Sequence, residues 1–369
     1  MLLDCLKKVK DSRGKQDQQY DQASVLFLSV LAVLCGGTSY RKIHIFIAQK
    51  FLQLKEILNL KWRKAPAYTT IRGIIHGVDE QSLEEQYRLY TQGLISNFGH
   101  RTAGKKFAAG DGKPLRNSYN HMEDQKAKQI FSIFDTDLDI IFTHEEIDEK
   151  TNEIPVFQKL VAELGLKDFI FTLDALHCQK KTLEAVINSG NQVIVQVKTN
   201  QQTLFEDCVL TSSTMKPADQ FIAPVEKGRN RIESRSAFIF KEFFTTDPEE
   251  NHAKELVVIH RIRQVFSTKT KKWSETQETS FYISTTSLKA CEYMHAIRVH
   301  WAIENKSHHV KDVTLVEDAS RIRINPGNFA KLRSWALGIL RINQIKNVSK
   351  ALYENTLNIS APLNYLGVL

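Results

Sequence analysis

Three carboxylates stand where their type and position could do chemistry. Asp111 and Asp174 each end a short run that reads as a strand, residues 107–110 and 169–173. The carboxyl ends of neighbouring strands lie side by side, so the two acids could share a hard cation such as magnesium. Such an ion takes carboxylate oxygens and keeps several waters for a substrate. In phosphodiester chemistry two ions ~3.5–4 Å apart activate the attacking oxygen and stabilise the leaving one. The alternative is that each aspartate only caps the turn or helix after it. Glu304 is the third. Ile297, Trp301, Glu304, His308 and Lys311 share one helical stripe, which turns Glu304 inward if Ile297 and Trp301 face inward. A buried carboxylate is costly unless it is paired or holds a metal, and a salt bridge to Lys311 or a nearby histidine is the competing use.

The elements that must position these acids follow from periodicity. Residues 1–20 are polar and basic and read as a short arm; helical patterns follow near 23–35, 40–58, 71–75 and 82–93. The texture changes near Lys105. Residues 129–134 and 138–143 read as a hairpin turned by Asp135-Thr136-Asp137, with helices at 153–164 and 179–187 and strands at 169–173 and 192–197. That order implies an α/β fold, a mixed sheet flanked by helices. Residues 200–285 carry strand-like pieces at 235–240, 255–264 and 279–283 and read as a β-rich insertion. Helix returns over 288–309, and a last amphipathic helix covers about 328–345. The division expected is an N-terminal helical, DNA-binding domain over 1–104 and a catalytic domain over 105–369.

Composition narrows the class. The chain has 369 residues, net charge +8 and 42% hydrophobic residues, which supports a sizeable core and favours an anionic partner. By side-chain count the charge is about +6 over 1–104, about −3 over 105–286 and about +5 over 287–369. Basic ends around an acidic middle suit a protein that grips a polyanion while keeping carboxylates for metal; solvated surface lysines are the plainer reading. The five cysteines form no C-x-x-C pair and no even framework, which fits a reducing cytoplasm. The one long apolar run, residues 25–35, is too short to cross a bilayer, so neither a membrane span nor a signal peptide is expected.

Gly110-Asp111-Gly112-Lys113-Pro114-Leu115-Arg116 resembles the first-aspartate block of DDE transposases of bacterial insertion sequences, in the branch that includes the H-repeat-associated proteins. The likeness continues through Lys150-Thr151-Asn152-Glu153-Ile154-Pro155, Thr172-Leu173-Asp174-Ala175-Leu176-His177-Cys178-Gln179-Lys180 and Gly228-Arg229-Asn230-Arg231-Ile232-Glu233. It ends in Arg298-Val299-His300-Trp301-Ala302-Ile303-Glu304-Asn305, then Asp312-Val313-Thr314 and Glu317-Asp318-Ala319-Ser320-Arg321-Ile322-Arg323. The blocks keep order and spacing over nearly the whole chain.

The resemblance implies a ribonuclease-H-like core interrupted by the β-rich insertion. It makes Asp111, Asp174 and Glu304 the catalytic and metal-binding acids, with Mg2+ as cofactor and Mn2+ able to substitute. The activity implied is cleavage and strand transfer of double-stranded DNA, at terminal inverted repeats and target sites, by a homodimer in the DNA complex. By the same likeness Lys311 and Arg298 contact DNA phosphate. Lys113 and Arg116, next to the first acid, and Arg321 and Arg323, in the last block, are further DNA-binding candidates, with Lys331 and Arg333 after them. Two departures stand out: His309 occupies a position usually held by tryptophan, and Lys311 one usually apolar. They leave room for a decayed copy that only binds DNA. A zinc hydrolase built from His300, His308, His309 and Asp312 is the remaining alternative, resting on the i, i+4 spacing of His308 and Asp312.

Overall fold

The computed structural model describes residues 1–14, 18–101, 104–119, 126–148, 151–244 and 252–369; Lys150 and residues 245–251 of the expected insertion lie outside them. The chain divides into two compact units. One joins Met1–Ala103, Gly112–Glu153 and Ala302–Leu369, and the other joins Gly104–Asp111 and Ile154–Trp301.

The first unit is built on two helices buried along nearly their whole length. α1 is Leu2–Leu6 and α2 is Gln22–Leu34. Asp21 caps α2 by accepting from the Ser24 N–H at 2.8 Å, and Val25 through Leu34 are buried on every side. A helix apolar all round must be central. It stops at Gly36, whose φ of +81° suits glycine; a side chain on the next residue, Gly37, would strike the Ala32 carbonyl. α3 (Tyr40–Ile57), α4 (Tyr68–Gly77) and α5 (Glu80–Phe98) follow. β1, Lys106–Pro114, leaves its last residues in this unit, where β2 (Gln129–Asp135) and β3 (Ile140–Ile147) form the expected hairpin. The Asp135 carboxylate turns it by accepting from the N–H groups of Asp137 and Leu138.

α10 (Pro326–Ile342), the second buried helix, packs on α2, α4, α5 and β3, and α11 (Val348–Leu357) and α12 (Ser360–Leu363) complete the unit. Trp335 is fully buried, edge-on to Tyr87 at 5.1 Å and Tyr90 at 6.4 Å. Tyr87 then donates to the Ile141 carbonyl, which fixes α5 on β3. The N-terminal helices therefore share a core with the C-terminal ones. Nor is residue 1–20 wholly an arm: Leu2 and Leu6 are buried, and α1 packs on α2 and α5.

The second unit is a mixed sheet. β1 pairs in parallel with β4 (Phe169–Leu173), and β4 in parallel with β5 (Gln192–Val197). The parallel crossovers run through α6 (Glu153–Glu163, all but its first residue here) and α7 (Lys180–Asn188). Antiparallel strands then extend the sheet: β10 (Lys272–Ser284) on β5, β9 (Glu255–Ser267) on β10, β8 (Arg231–Phe240) on β9, and β6 (Asp219–Ile222) and β7 (Glu226–Gly228) on β8. α9 (Ala290–His300) covers one face, with Tyr293, Met294 and Ile297 packed on Phe107, Ile170, Ile194, Ile239 and Val257.

Two expectations are corrected. The segment after β5 begins with α8, Gln202–Thr214, and not with strand. Its buried positions are Cys208 and Thr211, with Phe205 packed edge-on against Phe281, a weak helical signal because the two fully buried positions carry no large apolar residue. The helix expected over 288–309 also does not run through. α9 stops at His300, and the chain continues in π-helical turns over Ile303–His308 and Val310–Thr314. Widening the turn breaks the stripe: Trp301 is 58% exposed, while His308 and Lys311 are buried.

Trp335→Ala should destabilise the chain by about 3–5 kcal/mol, the cost of emptying a fully buried aromatic site. Urea denaturation followed by circular dichroism measures it, and a loss under ~1 kcal/mol would contradict the central place given to this ring.

Candidate active site

Strand register places two of the acids. Lys106–Ala109 pair in parallel with Phe169–Thr172, residue for residue. Carried two residues past Ala109 and Thr172, the same register would set Asp111 and Asp174 level with each other beyond the carboxyl ends of the paired segments, although β1 itself runs on to Pro114 and Asp111 therefore lies within its strand and not at the end expected from the sequence. A parallel sheet presents ligands at those ends. Asp174 is exposed and does serve as a cap, its Oδ1 accepting from the Leu176 N–H at 3.1 Å. Capping and metal binding are compatible here, because that bond engages one oxygen and an ionised carboxylate has a second.

Behind Asp174 lie two histidines, His300, which the sequence offered only as a zinc ligand, and His177, which it did not single out. The Thr172 hydroxyl donates to the Ala108 carbonyl at 3.3 Å, which ties β4 to β1. His300, the last residue of α9, places Nδ1 3.0 Å from Thr172 Oγ1 and 3.2 Å from the Thr172 carbonyl oxygen. Two acceptors at one ring nitrogen assign the proton to Nδ1 and leave Nε2 with a lone pair. Burial holds the His300 pKa below the usual value, against the bond to Thr172 and the pull of Asp174. His177, in the short turn after Asp174, is buried against Phe157 and pushed down to about 4 by burial, with Asp174 opposing. Both rings are neutral at pH 7. His177 stands in the block around Asp174, and that adjacency was its only sequence signal.

The third acid belongs to the other unit. Glu304 lies on the first π-helical turn, its side chain 54% exposed, with His308 Nδ1 3.7 Å from its Oε2. The inward-facing carboxylate expected from the stripe is thus corrected: the π turns bury His308 and Lys311 and leave Glu304 at the surface. π turns occur often at functional sites. An exposed acid can meet a substrate, which a buried one cannot.

A buried charge cluster anchors this segment. Lys113 binds the carboxylates of Asp312 and, at 2.6 Å, Glu317. Arg333 stacks over Phe329, donates to the Leu315 carbonyl and stands 3.8 Å from Glu317. Burial would raise the Glu317 pKa, yet Lys311, Lys113 and Arg333 together hold it at about 2. Burial pulls the Lys311 ammonium down to about 8, against Glu317. No sequence signal links Lys113 to Glu317, which lie far apart in the chain. A side chain on Gly112 would meet the Glu153 carboxylate, which would have to swing aside to admit it.

The candidate DNA-binding residues fall into two groups. Arg116, Arg321 and Arg323 are exposed, with Arg116 3.5 Å from Asp318 and Arg323 donating to the Tyr119 carbonyl. Arg298 is exposed and paired with Glu226. Lys113 and Lys311 are 8% and 3% exposed, and Lys331 and Arg333 are buried as well. In this conformation those four ammonium and guanidinium groups serve the inside of the unit, because a cation removed from water must stay close to its counter-charge. Lys331 shows the same economy, bound to Glu80 at 3.1 Å and near Glu84. The zinc alternative loses its pair: Asp312 is bound by Lys113, and His309 is exposed where His308 is buried.

Comparison with known proteins gives the family. Residues 98–340 match the model described as transposase DDE domain, and residues 3–91 match the domain associated with it. The candidate transposase YncI of Escherichia coli O157:H7 is 28% identical over 92% of this chain and 87% of its own length. The H repeat-associated candidate transposase YhhI of Escherichia coli K12 is 28% identical over 93% of this chain and 91% of its own. Among solved structures, a piggyBac transposase synaptic complex with hairpin DNA aligns over 97% of this chain and 75% of that one, at 10% identity and a TM-score of 0.42. A likeness that weak supports no inference. Among the described residues no helix is long and apolar enough to cross a membrane.

The buried neutral histidines predict acid sensitivity. An unfolded histidine titrates near 6.5, whereas the fold holds His177 at about 4 and His308 at about 3. Below about pH 6.5 the unfolded state therefore binds more protons, and stability falls as pH falls, by up to ~1.4 kcal/mol per pH unit for each such histidine. Urea unfolding at pH 7.5 and 5 should differ by about 2 kcal/mol or more, and His177→Asn should reduce the difference. Equal stability at the two pH values would contradict the assignment.

Proposed function

The chain belongs to the transposase DDE domain family, and from that premise we propose that it is an insertion-sequence transposase. It binds the terminal inverted repeats of its element and catalyses metal-dependent strand cleavage and strand transfer. The observation that carries the reading is the parallel register of β1 and β4, which, extended past Ala109 and Thr172, would set Asp111 and Asp174 level. This is the arrangement of a ribonuclease-H-like core, with the sheet extended by the β8–β10 insertion.

The donor set fits a hard divalent ion. Asp111 and Asp174 offer carboxylate oxygens on adjacent parallel strands, and such oxygens suit magnesium, with manganese a substitute. Glu304 is proposed as the third carboxylate. Bound there, the ion supplies Lewis acidity to the scissile phosphate and to the oxygen that attacks it. The protein's own residues do the rest. Thr172 and His300 brace the strand that carries Asp174, and the Lys113–Asp312–Glu317–Arg333 cluster braces the turns that follow Glu304. In the first step water attacks phosphorus and the bond to the 3′ oxygen breaks, leaving a 3′-hydroxyl. In the second that hydroxyl attacks a target phosphate and displaces its 3′ oxygen. Joining two element ends calls for two copies of the chain on the DNA, acting in the cytoplasm at the nucleoid.

The test uses purified protein, labelled DNA spanning the element's own ends, and magnesium. Strand breaks at the boundary are expected, and Asp111→Asn, Asp174→Asn and Glu304→Gln should each slow them about a thousandfold, the equivalent of several kcal/mol of transition-state stabilisation. Cleavage at the unsubstituted rate in a folded Asp111→Asn variant would defeat the proposal. DNA binding without cleavage by the unsubstituted chain would point to a DNA-binding role only.

A further inference from the structure

The net acidic middle of the sequence hides a basic surface. β9 and β10 form a long hairpin, and every residue from 268 to 279 is exposed. The hairpin thus runs out beyond the core face that α9 covers, with both of its own faces in solvent. β8 lies beside β9 up to Arg231, opposite Val265. The β7–β8 turn is joined to the hairpin by the Phe266 N–H donating to the Asn230 carbonyl at 2.8 Å. Two turns therefore form one end of a three-stranded ribbon.

Charge is sorted along that ribbon. Toward its base Glu233 is buried and bound by Arg235 at 2.5 Å and by Arg261, while Arg231 approaches within 3.5 Å. Glu278 and Glu226 are likewise engaged by arginines, Glu278 by Arg261 and Glu226 by Arg235 and Arg298. At the tip the sequence runs Lys227, Arg229, Lys269, Lys271 and Lys272 with no acid between them in either turn. All five are exposed, and none makes an ion pair among the described residues. Trp273 stands among them, 54% exposed and 5.4 Å from the Phe266 ring, which faces it across the β9–β10 pair. Lys271 even adopts φ +56°, a left-handed conformation uncommon for lysine, in the turn closed by its N–H on the Ser267 carbonyl.

We propose that this ribbon tip is a docking surface for the phosphate backbone of duplex DNA, separate from the acids of the candidate active site. The inference rests on the proposed function, since it supplies a further contact to the same substrate. Five exposed cations without an acid among them create a local positive potential that a polyanion would neutralise. Three strands spaced 4.7–4.9 Å apart make an end about 10 Å across, against a major groove about 12 Å wide. The cations reach the flanking phosphates, and Trp273 and Phe266 offer apolar surface to the sugars between them. Phosphate and sugar contacts position a protein on DNA without reading sequence.

The test compares the full chain with a variant carrying Lys269→Gln, Lys271→Asn and Lys272→Gln, with asparagine chosen because it accepts the left-handed conformation. Binding to a duplex containing the element ends is measured over a range of salt. Each phosphate contact contributes about 1 to the slope of log affinity against log salt. The variant should lose about 2–3 from that slope and bind at least tenfold more weakly at low salt. Restoring charge with Lys269→Arg and Lys272→Arg in the otherwise unchanged chain should keep the slope. If the unsubstituted chain binds salt-dependently and the variant matches it in slope and affinity, the tip is not a DNA surface and the proposed function stands. If the unsubstituted chain binds no DNA at any salt, the proposed function falls and this inference with it.

Discussion

Parallel pairing of Lys106–Ala109 with Phe169–Thr172 is the constraint on which the rest turns. Moving either strand by one residue would flip every side chain to the opposite face and send one aspartate to the wrong side of the sheet. The register is therefore held from several directions. Phe107 and Ile170 are committed to the core beneath α9, Thr172 donates across to Ala108, and His300 grips Thr172 from the end of α9. These bonds are short-range and buried, so they fix the two strands against each other without help from a ligand. Preorganisation of this kind is what phosphodiester chemistry asks of a protein, because little covalent chemistry falls to the side chains themselves.

The other unit solves a different problem, keeping an exposed acid in place on an irregular turn. π-helical turns satisfy their backbone poorly and persist when the surroundings over-determine them. Here the surroundings are ionic. Lys113 joins Asp312 and Glu317, Arg333 reaches Glu317 and Leu315 from the buried α10, and Glu317 remains ionised in spite of burial. Removing one partner of such a cluster would leave an uncompensated charge indoors, a cost of about 3–5 kcal/mol. The basic residues nearest the acids in sequence are thus largely structural, and exposed cations are found elsewhere, at the β9–β10 tip among other places.

Most elements near the acids were legible from the chain alone. The strands at 169–173 and 192–197 match β4 and β5 residue for residue, because each is a short apolar run bounded by turn residues. Asp174 could be placed at its strand end for the same reason, whereas β1 runs on through Asp111 to Pro114. Glu304 could be nominated, but its setting could not be read: a 3.6-residue stripe assumes an α-helix, and the chain widens into π turns there. α8 was missed because its fully buried positions are a cysteine and a threonine, where a clear helical stripe would carry leucines. The roles of Lys113 and Glu317 were beyond reach, since a lysine next to a candidate metal site looks like a phosphate ligand until its distant counter-charge is seen. Net charge over 105–286 likewise concealed the basic tip, because summing over a segment cancels cations at one end of a ribbon against acids at the other.

The central proposal is that Asp111 and Asp174, on adjacent strands, together hold a divalent ion. Ferrous iron substituted for magnesium, with ascorbate and peroxide, releases hydroxyl radicals that cut backbone within reach of the bound metal, and mass spectrometry locates the cuts. The account predicts cleavage close to residues 111 and 174, suppressed by excess magnesium and absent from a folded Asp111→Asn, Asp174→Asn double variant. Cleavage spread along the chain, or localised cuts that survive in the double variant, would contradict it.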